Sequence, residues 1–422
     1  MQLVERHIIN KGHHLFEDVD TTSFLSKNLY NRANYIIRQE FIRTSKEKEK
    51  GNLENANWIR YNEIQKNLQN DKDVDYKKLP AKVSQHVLKL LDKNWKSFFA
   101  SIRDWKKNPS KYTGRPSLPK YKHKTKGRGI LCYTIQAISK TELRKGIVLL
   151  SGTKISVKTK QNLADIKQVR IVPKIGHYVI EIVYNKKEVK NENLDKRKIA
   201  GGDLGLNNLV AVTSNQKVHP LLINGRPLKS INQYYNKKRA KLQSFVGDKS
   251  SNRLVKLTNK RNRKVDDYLH KASSFIVKHL ELHCIGIFVI GKNKQWKTEI
   301  NIGKKNNQAF VNIPHARFIE MIQYKCEMVG IEVILTEESY TSKCSFIDAE
   351  EMKHQEKYLG TRRHRGLFIS KNKIEINADC NGSGNIIRKV IPTAFDGEGI
   401  EGVVVSPKLI NLKGFHLLKK VA

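Results

Sequence analysis

Hydrophobic residues recur at three- and four-residue steps after Thr21 and switch towards alternation after Gly129. That change of period constrains the fold most, because an amphipathic helix and a half-buried strand need different spacings. In the first stretch Phe24, Leu25, Leu29, Ala33, Ile36, Ile37 and Phe41 mark one helix. The lysine-rich run SKEKEKGNLEN interrupts it, and a second helix is predicted over 57–68. A third is predicted over 80–105, opened by Pro80 and striped by Val83, Val87, Leu88, Leu91, Trp95, Phe98 and Phe99.

Residues 1–20 read as a short strand and a loop, and strands are predicted at 130–136, 147–150, 154–158, 168–172 and 177–184. Short strands at this spacing suggest a small antiparallel barrel or sandwich. If the first strand returns to it, residues 21–107 become a helical insertion. Between helices and strands, residues 108–125 form a Pro- and Lys-rich linker that carries Tyr112 and Tyr121. Aromatics among lysines suit stacking on bases, although a solvated linker has the same composition.

A charged linker, 185–198, precedes the apolar string IAGGDLGLNNLVAVTS. A basic helix is predicted over 237–279, a strand at 285–290, a helix at 314–329, a strand at 331–335 and a last helix from near Asn381. This order is that of an α/β domain. The stretch 350–375 is poor in hydrophobic residues and receives no element. The fold class is therefore α/β and α+β multidomain.

Lys plus Arg number 80 against 40 Asp plus Glu, a formal charge of +40. An excess of that size repels itself unless a polyanion neutralises it, which points to DNA or RNA. The charge is spread along the chain rather than set on one amphipathic helix, which argues against a membrane partner. Five cysteines, none in a CxxC pair, argue against a disulfide framework and for a reducing compartment. No apolar run is long enough for a membrane span, and the N-terminus lacks the apolar core of a signal peptide, so the expected location is cytoplasmic.

Asp203 in GGDLGLNN and Asp379 in NADCNGSGNIIRKV are the candidate chemical groups. Taken singly, the first also reads as a turn residue and the second as a helix N-cap. Taken together, they suit phosphodiester cleavage, which needs carboxylates from separate elements around two metal ions about 4 Å apart. Hard oxygen ligands favour Mg²⁺, or Mn²⁺ in its place.

GGDLGLNNLVAVTS, KCEMVGIEVILTEESYTSKC and NADCNGSGNIIRKV resemble the three signature regions of TnpB proteins. These are the OrfB proteins of bacterial insertion sequences, relatives of the type V CRISPR effector nucleases. The resemblance spans most of the chain. It implies an RNase H-like RuvC nuclease domain plus a small β-barrel with a helical insertion. The implied boundaries are a wedge-type barrel from 1–20 and 108–190, a helical recognition insertion at 21–107, a nuclease domain at 191–391 and a C-terminal tail at 392–422. The implied activity is RNA-guided endonuclease cleavage of double-stranded DNA, with a guide RNA derived from the transposon end.

Two departures stand out. The family's second catalytic carboxylate is usually a Glu just after an apolar strand; here that position is Gly291. The next strand ends LTEESYTSK, and Glu338 stands where the family usually has Pro. Strands about 4.8 Å apart would let a long Glu side chain reach the same metals from there. Glu338 is thus the expected third ligand, with its neighbour Glu337 pointing to the opposite face. The family often carries two CxxC pairs; here Cys344 lacks its partner, so no zinc site is expected.

The resemblance places Tyr340, Thr341, Ser342 and Lys343 along the DNA path. Arg261, Arg263 and Lys264 on the basic helix are candidate phosphate contacts. Asn381 and Asn385 read equally as groups supporting the site or as caps. Two other readings compete with an active nuclease. One is a nuclease-inactive RNA-guided repressor, which Gly291 makes credible. The other is a transposase-associated DNA-binding protein. All share one expected outcome: affinity of the purified chain for nucleic acid should fall steeply between 50 and 200 mM salt, by about 10³-fold or more for six or more phosphate contacts, in a filter-binding titration.

Overall fold

The computed structural model describes residues 1–186, 191–247, 249–293, 308, 311–364, 366–396 and 406–412. The chain divides into two compact units, Met1–Lys187 and Glu188–Ala422.

In the first unit β1 (Gln2–Asn10) is followed by α1 (Phe16–Glu49), α2 (Tyr61–Asn70), α3 (Val74–Lys77) and α4 (Ala81–Lys107). Then come β2 (Leu131–Thr134), α5 (Lys140–Arg144), β3 (Ile147–Leu149), β4 (Ser156–Lys158), β5 (Ile166–Lys174) and β6 (His177–Asn185). The first strand does return: β1 pairs antiparallel with β6 along its whole length, from Gln2–Asn185 to Asn10–His177. The sheet order is β1-β6-β5-β2, with β3 and β4 as a separate hairpin. Among the described strands nothing joins β1 to β2, so the barrel expected from the sequence is an open sheet. The physical reason is that the helices supply the cover: Val19, Leu29, Leu88, Leu91 and Trp95 share one buried cluster with Leu131, Val169, Ile171 and Ile180.

Helix α1 runs through the lysine-rich stretch at which the sequence reading stops it. Lys and Glu are good helix formers. Arg43–Glu40 and Lys50–Glu47 ion pairs line this segment, and Thr44 is buried against the Asn57 backbone. At the centre of the helical layer Trp95 is fully buried, touches Phe41, Trp58, Phe98 and Phe99, and donates its indole N–H to Asn34 Oδ1 at 3.0 Å.

The second unit is built on a six-stranded mixed sheet. Its elements are β7 (Asp195–Leu204), β8 (Asn208–Ser214), β9 (Leu221–Asn224), α6 (Arg226–Val246), α7 (Asn252–Leu282), β10 (Ile285–Gly291), α8 (His315–Glu327) and β11 (Glu332–Thr336). A small antiparallel sheet of β12 (Thr361–His364), β13 (Leu367–Ile369) and β14 (Glu375–Asn377) leads into α9 (Ala378–Val390), and β15 (Lys408–Ile410) ends the described chain. Strand order is β11-β10-β7-β8-β9-β15; β7 to β9 form an antiparallel meander, and β10 and β11 run parallel to β7.

Three features differ from the sequence reading. The single basic helix is two antiparallel helices, α6 and α7, broken near Gly247, whose φ of +53° suits glycine. The polar stretch 350–375 contains β12, β13 and the first residue of β14. Within 392–422, where no element is expected, β15 pairs in parallel register with β9. No helix among the described residues is long and apolar enough to cross a membrane.

Replacing Trp95 by Ala should destabilise the first unit by about 3–5 kcal/mol, from the cavity it leaves and the unpaired Asn34 amide. Urea denaturation followed by circular dichroism would measure the loss.

Candidate active site

Asp203 stands one residue from the end of β7, in the middle of the mixed sheet. Glycines around it let other elements come close. A Cβ on Gly382 of α9 would lie 2.5 Å from Asp203 Oδ2, and a Cβ on Gly201 would lie 2.4 Å from the Ser383 carbonyl. Helix α9 therefore rests directly on β7. Ser383 locks the contact: its hydroxyl donates to Gly201 O at 2.9 Å and accepts from Thr213 N at 3.1 Å.

Asp379 is in the first turn of α9. It is not the cap; Asn377 is, accepting from the backbone N–H of Asp379 and Cys380. The cap leaves the Asp379 carboxylate to other partners. Asn208 donates to its Oδ2 at 2.7 Å, and Arg362 reaches within 3.9 Å of its Oδ1. Asn207, Asn208, Arg226, Arg362, Asn377 and Asp379 line a cleft of about 430 Å³ that opens at this carboxylate.

Glu338 follows β11 and comes from the far side of β10. Its side chain lies where a side chain at Gly291 would be: a Cβ there would sit 2.4 Å from Glu338 Oε1 and 2.8 Å from its Cδ. The glycine on the middle strand and the glutamate on the outer one are thus complementary. Asn293 fixes the arrangement from two sides, donating to Glu338 Oε2 at 3.1 Å and accepting from Glu338 N at 2.9 Å. Oε1 is left buried with no hydrogen-bond partner. Glu337, its neighbour, is exposed.

Of the three carboxyls, Asp203 feels the other two. Asp203 keeps some accessible surface yet sits deep among protein atoms. Burial, then the charges of Glu338 and Asp379, raise its carboxyl well above the usual range, with Arg362 opposing. Burial pushes Glu338 up to about 7, with Lys389 opposing. Among the described residues no group of three or more His, Cys, Asp or Glu side chains that could hold a metal ion is found. The donors are hard oxygens, and the buried Glu338 Oε1 has no hydrogen-bond partner, a chemistry that suits a divalent ion such as Mg²⁺.

The remaining expected residues separate into two groups. Arg261 is committed internally: it donates to Asn232 Oδ1 at 2.8 Å and to Asn312 O at 2.7 Å, and lies over the Tyr235 ring. Thr341 is buried and donates to Glu338 O. Tyr112 donates to Asp104 Oδ2 at 2.6 Å. The polar groups of these three are thus engaged within the protein. Tyr121, Arg263, Lys264, Ser342 and Lys343 are exposed. Tyr340 has a φ of +67° and meets His354 edge-on.

Asn381 and Asn385 are neither caps nor carboxylate partners. Both are fully buried and clamp the backbone of the 341–346 loop: Asn381 accepts from Phe346 N and donates to Cys344 O, and Asn385 donates to Thr341 O and Cys344 O. Cys344 and Cys380 are buried and free. Sequence reasoning missed Asn208, Asn293 and Arg362. For Asn293 the signal was its place two residues after the missing carboxylate; Arg362 offered none.

Fold and site define an α/β unit with three coupled carboxyls at one end of a mixed sheet. Residues 181–297 match the family model OrfB_IS605, described as probable transposase, and residues 315–386 match that of the Cas12f1-like TNB domain. Over these two segments the chain is similar to those two families. Solved structures that align with it include a Cas12f1–sgRNA–target DNA complex, at 14% identity over 91% of this chain and 98% of that one, TM-score 0.37. Another is a CRISPR-Cas12f ternary complex, at 15% identity over 87% of this chain and 81% of that one, TM-score 0.35. A third is Alicyclobacillus acidoterrestris C2c1 with single-guide RNA, at 8% identity over 89% of this chain and 70% of that one, TM-score 0.40. No curated protein matches the sequence.

The raised carboxyls give two expectations for protein held in chelator. Folded Glu338 keeps its proton up to about 7, against an ordinary value of 4.5. Its contribution to stability is therefore complete below 4.5 and lost as pH rises through 7. Urea midpoints should fall over that window, and less so in Glu338→Gln. At pH 8, Asp203→Asn should raise the urea midpoint of the chelated protein, since it removes a buried carboxyl beside two like charges.

Proposed function

We propose that this chain is an RNA-guided DNA endonuclease encoded by a transposon, acting in the bacterial cytoplasm. Asp203, Glu338 and Asp379 are its RuvC-type metal ligands. The observation that carries the reading is the fit between Gly291 and Glu338. A carboxylate missing from β10 is replaced in nearly the same space by one from the next strand. The alternative of an inactive repressor draws its force from Gly291 alone, and the fit with Glu338 favours the nuclease over it. RNA guidance rests on the segments that resemble TnpB proteins.

Bound Mg²⁺ would stabilise the attacking and leaving oxygens of a phosphodiester. The chain's own residues do the rest. Asn293 ties one oxygen of Glu338 and leaves the other free to ligate. Asn208 and Arg362 orient Asp379. Arg362 and Arg226 put positive charge in the cleft beside it, where a phosphate would lie. Tyr121, Arg263, Lys264, Tyr340, Ser342 and Lys343 are the proposed nucleic-acid contacts.

The test uses purified protein with a guide RNA from the transposon end, a matching target duplex and Mg²⁺. Cleavage should drop at least about 100-fold in each of Asp203→Ala, Glu338→Ala and Asp379→Ala, since losing several kcal/mol of metal-borne stabilisation costs that much. Glu337→Ala should cleave normally. The double variant Gly291→Glu/Glu338→Ala should recover much of the activity lost by Glu338→Ala. Full cleavage by Glu338→Ala would reject the assignment; tight binding with no cut by the unaltered protein would reject the nuclease.

A further inference from the structure

Helix α6 has a face that the carboxyl site does not use. Tyr234, Lys238, Lys241 and Phe245 follow at steps of four, three and four residues, which sets them in one row along the helix. Tyr234 is 62% exposed and Phe245 75%. Both lysines are exposed, and Lys238 Nζ lies 5.9 Å from the centre of the Tyr234 ring. At a rise of 1.5 Å per residue the two aromatics are about 16 Å apart. The row is not a core face. The residues that join α6 to α7 are others, with the Tyr235 hydroxyl bonded to Thr258 and Asn232 to Arg261.

Single exposed aromatics are ordinary on a protein surface. Two of them flanking a lysine pair, all in one row, are a different arrangement. Their setting narrows the occupant further. Residues 226–264 contain thirteen Lys or Arg and a single Asp. A second copy of the chain would bring the same positive charge against this face and be repelled. A polyanion with flat apolar faces is what complements it.

We propose that this row binds single-stranded nucleic acid, with bases stacked on Tyr234 and Phe245 and phosphates paired with Lys238 and Lys241. Stacking suits any base, because every base has a π-face, so the contact is independent of sequence. A duplex offers its bases only at its ends, so the row discriminates in favour of single strands. The proposal stands apart from the carboxyl site and needs no cleavage to be tested.

The experiment is photocrosslinking of the full chain to oligothymidylate carrying 5-iodouracil, and in parallel to the matching oligouridylate, with the crosslinked peptides sequenced. Crosslinks are expected at Tyr234 and Phe245. They should vanish in Tyr234→Ala/Phe245→Ala, which should also lose about 10-fold or more in affinity for the single strand and little for a blunt duplex of equal length. Tyr234→Phe/Phe245→Trp should keep both properties. The two oligonucleotides distinguish DNA from RNA, and a crosslink to either supports the site. The proposal is overturned by crosslinks that fall elsewhere, by equal losses for duplex and single strand, or by a change of sedimenting mass in the alanine variant without nucleic acid. The last outcome would make the face an interface between copies.

Discussion

The Asp203 carboxyl is raised by burial and by the charges of Glu338 and Asp379, and the second unit is organised around tolerating it. Asp203 is buried on the central strand with Gly382 against its oxygen, and Glu338 crosses β10 only because Gly291 has no side chain. Neither contact lowers the energy of a carboxylate. Both raise it, as the upward shifts of the two groups record. The fold stabilises the arrangement elsewhere, through Ser383 bridging β7 and β8 and through the Asn381 and Asn385 clamps on the 341–346 loop. A divalent cation would turn the same repulsion into attraction.

Seen this way, the string NADCNGSGN is a set of separate physical jobs. Asn377 caps the helix, Asp379 supplies a carboxylate, and Asn381 and Asn385 hold a loop. Gly382 and Gly384 give room to Asp203 and Phe346, while Ser383 fastens the helix to the sheet. Because the jobs lie on different faces of α9, a substitution at one position should leave the others standing. The carboxylates can therefore be altered without dismantling the unit.

The positive charge is arranged with similar economy. Arg261, central in the basic helix, is used to hold α6, α7 and the Asn312 carbonyl together. Arg362 and Arg226 face the cleft beside Asp379, and the outer row of α6 faces solvent. Net charge alone says that a polyanion binds; which cations are available to it depends on which have no structural duty.

The sequence by itself determined the helical layer, most of the strands and the α/β order of the second half, because periodicity carries those signals, and it offered the two aspartates as candidates. It pointed to Glu338 over Glu337 only through the resemblance, in which Glu338 stands where the family usually has Pro. It did not reveal the open sheet in place of a barrel, the strand β15, or the short strands in 361–377. Those depend on what covers a face or an edge, which is settled by segments distant in the chain. Nor could it show that Gly291 and Glu338 occupy one space, or that Asn293 holds one oxygen and spares the other. Such facts are distances between strands, and distances exist only once the sheet has formed.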